Sequence, residues 1–156
     1  VVIDMSEAEL KSALYDHCMN YVNERMKNIR SAMDNARESA NDDSKSSAGD
    51  KHETGRSMAQ LEQEKLSIQL LETEKLLNTM NRIERGKIST AISTGSLVYT
   101  DNGNYFISIS AGRISIEGLT CIAISTMSPI GSALLNAKET QAFNFNGQIY
   151  RIKSFC

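Results

Sequence analysis

Neither proline nor glycine interrupts residues 6–41, and that stretch decides most of what the chain can become. Ser6 and Glu9 have the spacing of a capping box, with the serine capping a helix and the glutamate reaching back. Apolar residues then recur at Tyr15, Met19, Val22, Met26, Ile29, Met33, Ala36 and Ala40, with spacings that alternate four and three. That alternation is a heptad seam. At ~1.5 Å per residue, a helix over this stretch is roughly 54 Å long. So long a helix with one apolar stripe needs a partner along its length.

The partner follows in the chain. Residues 41–47 read Asn-Asp-Asp-Ser-Lys-Ser-Ser, side chains that compete for backbone hydrogen bonds and stop the pattern. Residues 44–54 hold no large apolar side chain, so they form an exposed tip where the chain reverses. From about Glu53 the periodicity returns at Met58, Leu61, Ile68, Leu71, Leu76, Met80 and Ile83, in a run rich in Gln, Glu, Lys and Leu. Gly86, after Arg82 and Arg85, is the expected C-terminal stop. An antiparallel helical hairpin over 6–86, with each arm burying the other's stripe, is the economical fold. A coiled coil between chains is the rival.

Composition changes at the same point. Seven of the nine glycines, the one proline and seven of the nine aromatic residues lie at 86 or later. Residues 87–156 read as short strands and turns. A first strand from Gly95 to Thr100 meets a turn at 101–104, and Tyr105–Ser110 forms the next strand. Arg113–Ile116 and Cys121–Ile124 flank a turn at 117–120, and Ser128-Pro129 opens a short helix with serine as its cap. Asn146-Gly147 closes a last hairpin. The expected class is α+β, with a coiled-coil hairpin followed by a small antiparallel sheet and one short helix over a face.

Charge excludes some functions. Residues 1–86 carry 12 basic and 16 acidic side chains, a net of −4, and residues 87–156 carry 5 and 3, a net of +2. Neither half has the basic excess of a nonspecific DNA binder. Cys18, Cys121 and Cys156 have no metal-ligand spacing, and Cys18 and Cys121 read as small core residues. Reduced thiols, with no signal peptide or apolar run of membrane length, point to the cytoplasm. Residues 1–4 read as an extension ahead of Met5.

Taken in order, several segments resemble the Gre family of bacterial transcription elongation factors, over nearly the whole chain from about Ser6 to Phe155. Gly49-Asp50-Lys51-His52-Glu53 is similar to that family's tip pattern of Gly-Asp, two residues, then Glu, and it lies between the arms. Residues 128–135, Ser-Pro-Ile-Gly-Ser-Ala-Leu-Leu, resemble its Ser-Pro-led helix, and Gly95-Ser96-Leu97-Val98 its first strand. The chain departs from the pattern at Arg56 and Ser57, where the family usually has an acidic residue and an aromatic, and at 136–140.

The resemblance implies an FKBP-like sheet domain over 87–156. It also implies a monomer that inserts its hairpin into the secondary channel of RNA polymerase, near the 3′ end of nascent RNA. Asp50 and Glu53 would assist the polymerase in cleaving backtracked RNA, sharing a Mg²⁺ ion with it, and Gly49, Lys51 and His52 would support the tip. The chain alone would have no turnover and hold no metal. Non-cleaving occupancy of the channel, or a structural coiled-coil role, are the alternatives.

Carboxylates are hard oxygen ligands suited to Mg²⁺, and two alone make an incomplete site. The plainer reading of Asp50 and Glu53 is a helix start, where acidic side chains offset the dipole by about 0.3–1 kcal/mol each. His52 reads as a solvated tip residue and His17 as a partly covered one. Arg25, Lys27, Arg30 and Arg37 are mixed with Glu24, Asp34 and Glu38, as on an ordinary solvated face, although cations there also suit RNA phosphate. A prolyl isomerase needs a concave aromatic pocket, whereas strand alternation commits several of the aromatic residues at 99–155 to the core. A Cys/His acyl-condensing enzyme lacks its nucleophile setting, because both histidines lie in the helical part.

Overall fold

A computed structural model of the chain describes residues 4–45, 49–139 and 141–156, with the backbone alone over 42–45 and 49–53. Its elements are α1 (Glu7–Lys45), α2 (Gly49–Asn81), β1 (Leu97–Thr100), β2 (Gly103–Ser108), β3 (Gly112–Ile116), β4 (Leu119–Ser125), α3 (Pro129–Leu135), β5 (Ala142–Phe145) and β6 (Gln148–Phe155). The class is therefore α+β, with a long helical hairpin followed by a small sheet and one short helix. The chain divides into a base, residues 1–21 and 78–156, and an arm, residues 22–77.

The base is built on a six-stranded sheet in the order β3-β4-β2-β1-β6-β5. An all-antiparallel sheet was expected, but β2 and β4 pair in parallel, with Phe106 beside Ala123. The β3–β4 hairpin sends its second strand back against β2, so the crossover falls between β2 and β3. Two hairpins turn where the sequence places them. Glu117 and Gly118 (φ 50° and 84°) join β3 to β4, and Asn146 and Gly147 (φ 52° and 77°) join β5 to β6. Positive φ at both central residues marks the turn type whose twist matches the strands.

Alternation gives the sheet two covered faces. Val98, Tyr105, Ile107, Ile124 and Ile152 pack with Leu134 and Ala137 of the α3 segment. Ser128 caps α3, its Oγ accepting from the Gly131 amide at 3.1 Å, and Pro129 follows in the first turn as expected. Leu97, Phe106, Ala123, Cys121 and Ile114 point to the opposite face and are all buried. The start of α1 lies on that side, with Cys18 Sγ 3.6 Å from Ser108 Oγ.

This packing corrects the expected stripe at the start of α1. Leu10, Leu14 and Cys18 are buried there, while Tyr15 and Met19 are only half-buried. The first turns face a sheet rather than a second helix, so the covered positions step by four. The capping box forms as read, with the Glu9 amide donating to Ser6 Oγ at 3.1 Å and the Ser6 amide to the Glu9 carboxylate at 3.3 Å. His17 is exposed rather than partly covered.

In the arm, Val22, Met26, Ile29 and Ala36 of α1 are buried, in line with the expected seam. The expected seam of α2 is wrong in its first half. Met58, Leu61, Ile68 and Leu71 are exposed, and the covered row is instead Ala59, Gln63, Leu66, Leu70, Thr73 and Leu77. That row also alternates four and three, and it continues to Met80 in the base. Thr73 is admitted to it because its hydroxyl bonds back to the Gln69 carbonyl at 2.7 Å, which removes the cost of burying a free donor. Two further boundaries move. The helical backbone of α1 runs through residues 41–45, which were read as a break, and α2 ends at Asn81 rather than at Gly86. Gly86 still takes a positive φ of 72°, in the turns after the helix.

Candidate functional site at the helical tip

The tip residues singled out by sequence fall at the start of α2. Gly49 is its first residue, and Asp50, Lys51, His52 and Glu53 follow within the first turns. Gly49 therefore opens a helix, where a reversal of the chain was expected. The side chains of Asp50, Lys51, His52 and Glu53 lie outside the described residues, and so does the backbone of 46–48. At helix positions three apart, Asp50 and Glu53 occupy one side of α2. Beyond them, Arg56 and Ser57 are described and exposed.

Further down the arm the basic residues are partly paired within the chain. Arg25 reaches Glu72 across the two helices at 3.9 Å, and Arg37 lies 3.8 Å from Asp34 on its own helix. Both pairs are solvent-exposed, where such contacts contribute about 0–1 kcal/mol. Lys27 and Arg30 are exposed. That is the arrangement of a solvated face.

The base holds the groups that sequence reasoning missed. Lys11 is 3% exposed, and its ammonium donates to the Lys87 carbonyl in the segment after α2. Arg85 of the same segment is paired with Asp16 of α1. Together these contacts tie the α2-to-β1 connection to the start of α1. Burial lowers the Lys11 pKa, while the neighbouring Cys156 and Glu7 act in the opposite direction. A lysine next to Leu10 and one turn before Leu14 and Tyr15 was the available signal, but it looked like an ordinary polar flank.

The three cysteines are free and buried. Burial pushes the Cys121 thiol up to about 12, with Cys18 adding to the rise, and it raises Cys18 and Cys156 as well. A thiol held protonated is a poor nucleophile, so these residues serve packing. The aromatic residues of the last hairpin are likewise used on each other. Phe143 stacks on Tyr150 at 5.5 Å, and Phe145 meets the same ring edge-on at 6.1 Å.

Among the described residues no group of three or more His, Cys, Asp or Glu side chains is placed to hold a metal ion. No described helix is long and apolar enough to cross a membrane. Comparison of the chain with protein-family models, with curated proteins and with solved structures returned no match.

Proposed function

We propose that the chain is a Gre-like factor that inserts its helical hairpin into the secondary channel of a bacterial RNA polymerase, in the cytoplasm. One observation carries the reading. Two helices of 39 and 33 residues follow one another, the second opening with Gly-Asp-Lys-His-Glu, and a small sheet with a Ser-Pro-capped helix comes after them in the same chain. In this reading the arm supplies reach and the tip supplies chemistry.

Asp50 and Glu53 are the acting pair. Their oxygen donors would suit Mg²⁺, and because two carboxylates make an incomplete site, the polymerase would supply the remaining ligands. A Mg²⁺ ion held by Asp50 and Glu53 together with the polymerase would supply an acidified water and positive charge at the phosphate. The hydrolysis belongs to the polymerase, and this chain's part is to hold two carboxylates beside the backtracked RNA 3′ end. Lys51 and His52 add donors around the pair, and Gly49 leaves the helix start uncrowded.

A second reading has its own observation. Exposed Arg56 stands one turn after Glu53, placing positive charge where an acidic residue would strengthen metal binding. In that reading the factor occupies the channel without promoting cleavage.

The test mixes the protein with stalled, backtracked polymerase complexes and Mg²⁺. Shortening of the RNA from its 3′ end, lost in Asp50→Asn and Glu53→Gln and on chelation of Mg²⁺, supports the cleavage reading. Binding without shortening supports channel occupancy alone. Absence of polymerase binding overturns both.

A further inference from the structure

Helix α2 carries two apolar rows, and the arm covers one of them. Met58, Leu61, Ile68 and Leu71 are 65%, 64%, 59% and 59% exposed. At about 100° per residue, Leu61 and Ile68 lie across the helix from Leu66 and Thr73 of the covered row. A polar helix face needs no partner, but four large apolar side chains over about 20 Å of helix do.

The order of residues on this face says what the partner is. The four apolar residues are placed symmetrically about the bond between Glu64 and Lys65. Leu61 and Ile68 lie three residues out on either side, and Met58 and Leu71 lie six residues out. A second α2 laid antiparallel about that centre brings Leu61 opposite the partner's Ile68 and Met58 opposite the partner's Leu71. It also brings Glu64 opposite the partner's Lys65. Each match occurs twice, as a two-fold interface requires. A parallel pairing instead sets Glu64 against Glu64 and Lys65 against Lys65. Among the described residues neither Glu64 nor Lys65 is in an ion pair within its own chain.

We propose that the outer face of α2 binds a second copy of this chain, forming an antiparallel homodimer through residues 58–71. The proposal does not rest on the polymerase reading. It differs from the monomer that the resemblance implies.

Sedimentation equilibrium of the full chain over a range of concentrations tests it. The expected mass rises from monomer to dimer with concentration, and Leu61→Glu with Ile68→Glu remains monomeric with unchanged helix content. Glu64→Lys sets like charges together twice and weakens association about tenfold or more, roughly 1.4 kcal/mol. Adding Lys65→Glu to the same chain restores it. For direction, chains with Met58→Cys cross-link to chains with Leu71→Cys and not to themselves. A wild type that stays monomeric throughout overturns the proposal. So does a dimer that survives Leu61→Glu with Ile68→Glu, or a charge swap that fails to restore association.

Discussion

In the base, Leu97, Phe106, Ile107 and Ile114 are each at most 1% exposed, on a sheet covered from both sides. In the arm, the buried interior is a single row, with Val22, Met26, Ile29 and Ala36 from α1 facing Leu66 and Thr73 from α2. A side chain in the base is enclosed by several strands and helices, whereas one in the arm is covered by its own helix and one partner helix. The base therefore holds its shape by cooperative packing, and the arm by a repeated local contact that tolerates polar and small residues. The arm also has surface left over, because a helix in a two-helix hairpin buries only one stripe.

Substitutions grade this difference. Phe106→Ala in the base leaves a cavity that strands and helix cannot both close, and should cost about 3–5 kcal/mol in chemical denaturation. Leu66→Ala in the arm should cost less, roughly 2–3 kcal/mol, because the open side of the row lets neighbours relax. Leu61→Ser, on the outer face, should change the stability of the monomer by no more than about 0.5 kcal/mol at low protein concentration. A large loss from Leu61→Ser in dilute protein would show that the outer face is covered within the chain.

Alkaline titration separates the two regions again, by a smaller effect. Burial pushes Tyr99 and Tyr105 up to about 12, as it does Cys121, and all three are in the base. The unfolded chain releases these protons near their ordinary values of about 9 to 10 while the folded chain retains them. The folded state then binds more protons, and stability falls as pH rises from about 9 towards 12. Lys11 contributes the opposite slope below its ordinary 10.5, because there the unfolded state holds the extra proton. Cys18 and Cys156 are raised as well, so five groups oppose one, and denaturation at about pH 10.5 should show a less stable base than at pH 8, with a smaller drop in Cys121→Ala.

The same contrast explains what was legible in the sequence. Turns in the base announce themselves because their backbone demands particular residues. Asn146-Gly147 and Ser128-Pro129 were readable for that reason, and so was the Ser6–Glu9 cap. Periodicity also gave two helices of nearly the right extent. It failed to choose between the two rows of α2, since Met58–Leu61–Ile68–Leu71 is the more hydrophobic yet lies outside, while the covered row Ala59–Gln63–Leu66–Leu70–Thr73 keeps the four-three alternation with polar and small members. The parallel β2–β4 pair was hidden because alternation shows which face a side chain takes, not which strand lies alongside. At the tip, Asp50 and Glu53 were legible as residues, but α2 beginning at Gly49 was masked by the polar composition of 41–54. Lys11 was missed because its ammonium is held by the Lys87 carbonyl, far away in sequence.

A photo-cross-linking amino acid at position 50 or at position 68, in protein mixed with polymerase elongation complexes, tests the division of labour along α2 most directly. The account predicts that position 50 cross-links to the polymerase channel or to the RNA 3′ end, while position 68 cross-links to a second copy of the chain in free protein. Position 50 labelling neither polymerase nor RNA, under conditions where the complexes are intact and backtracked, would contradict it.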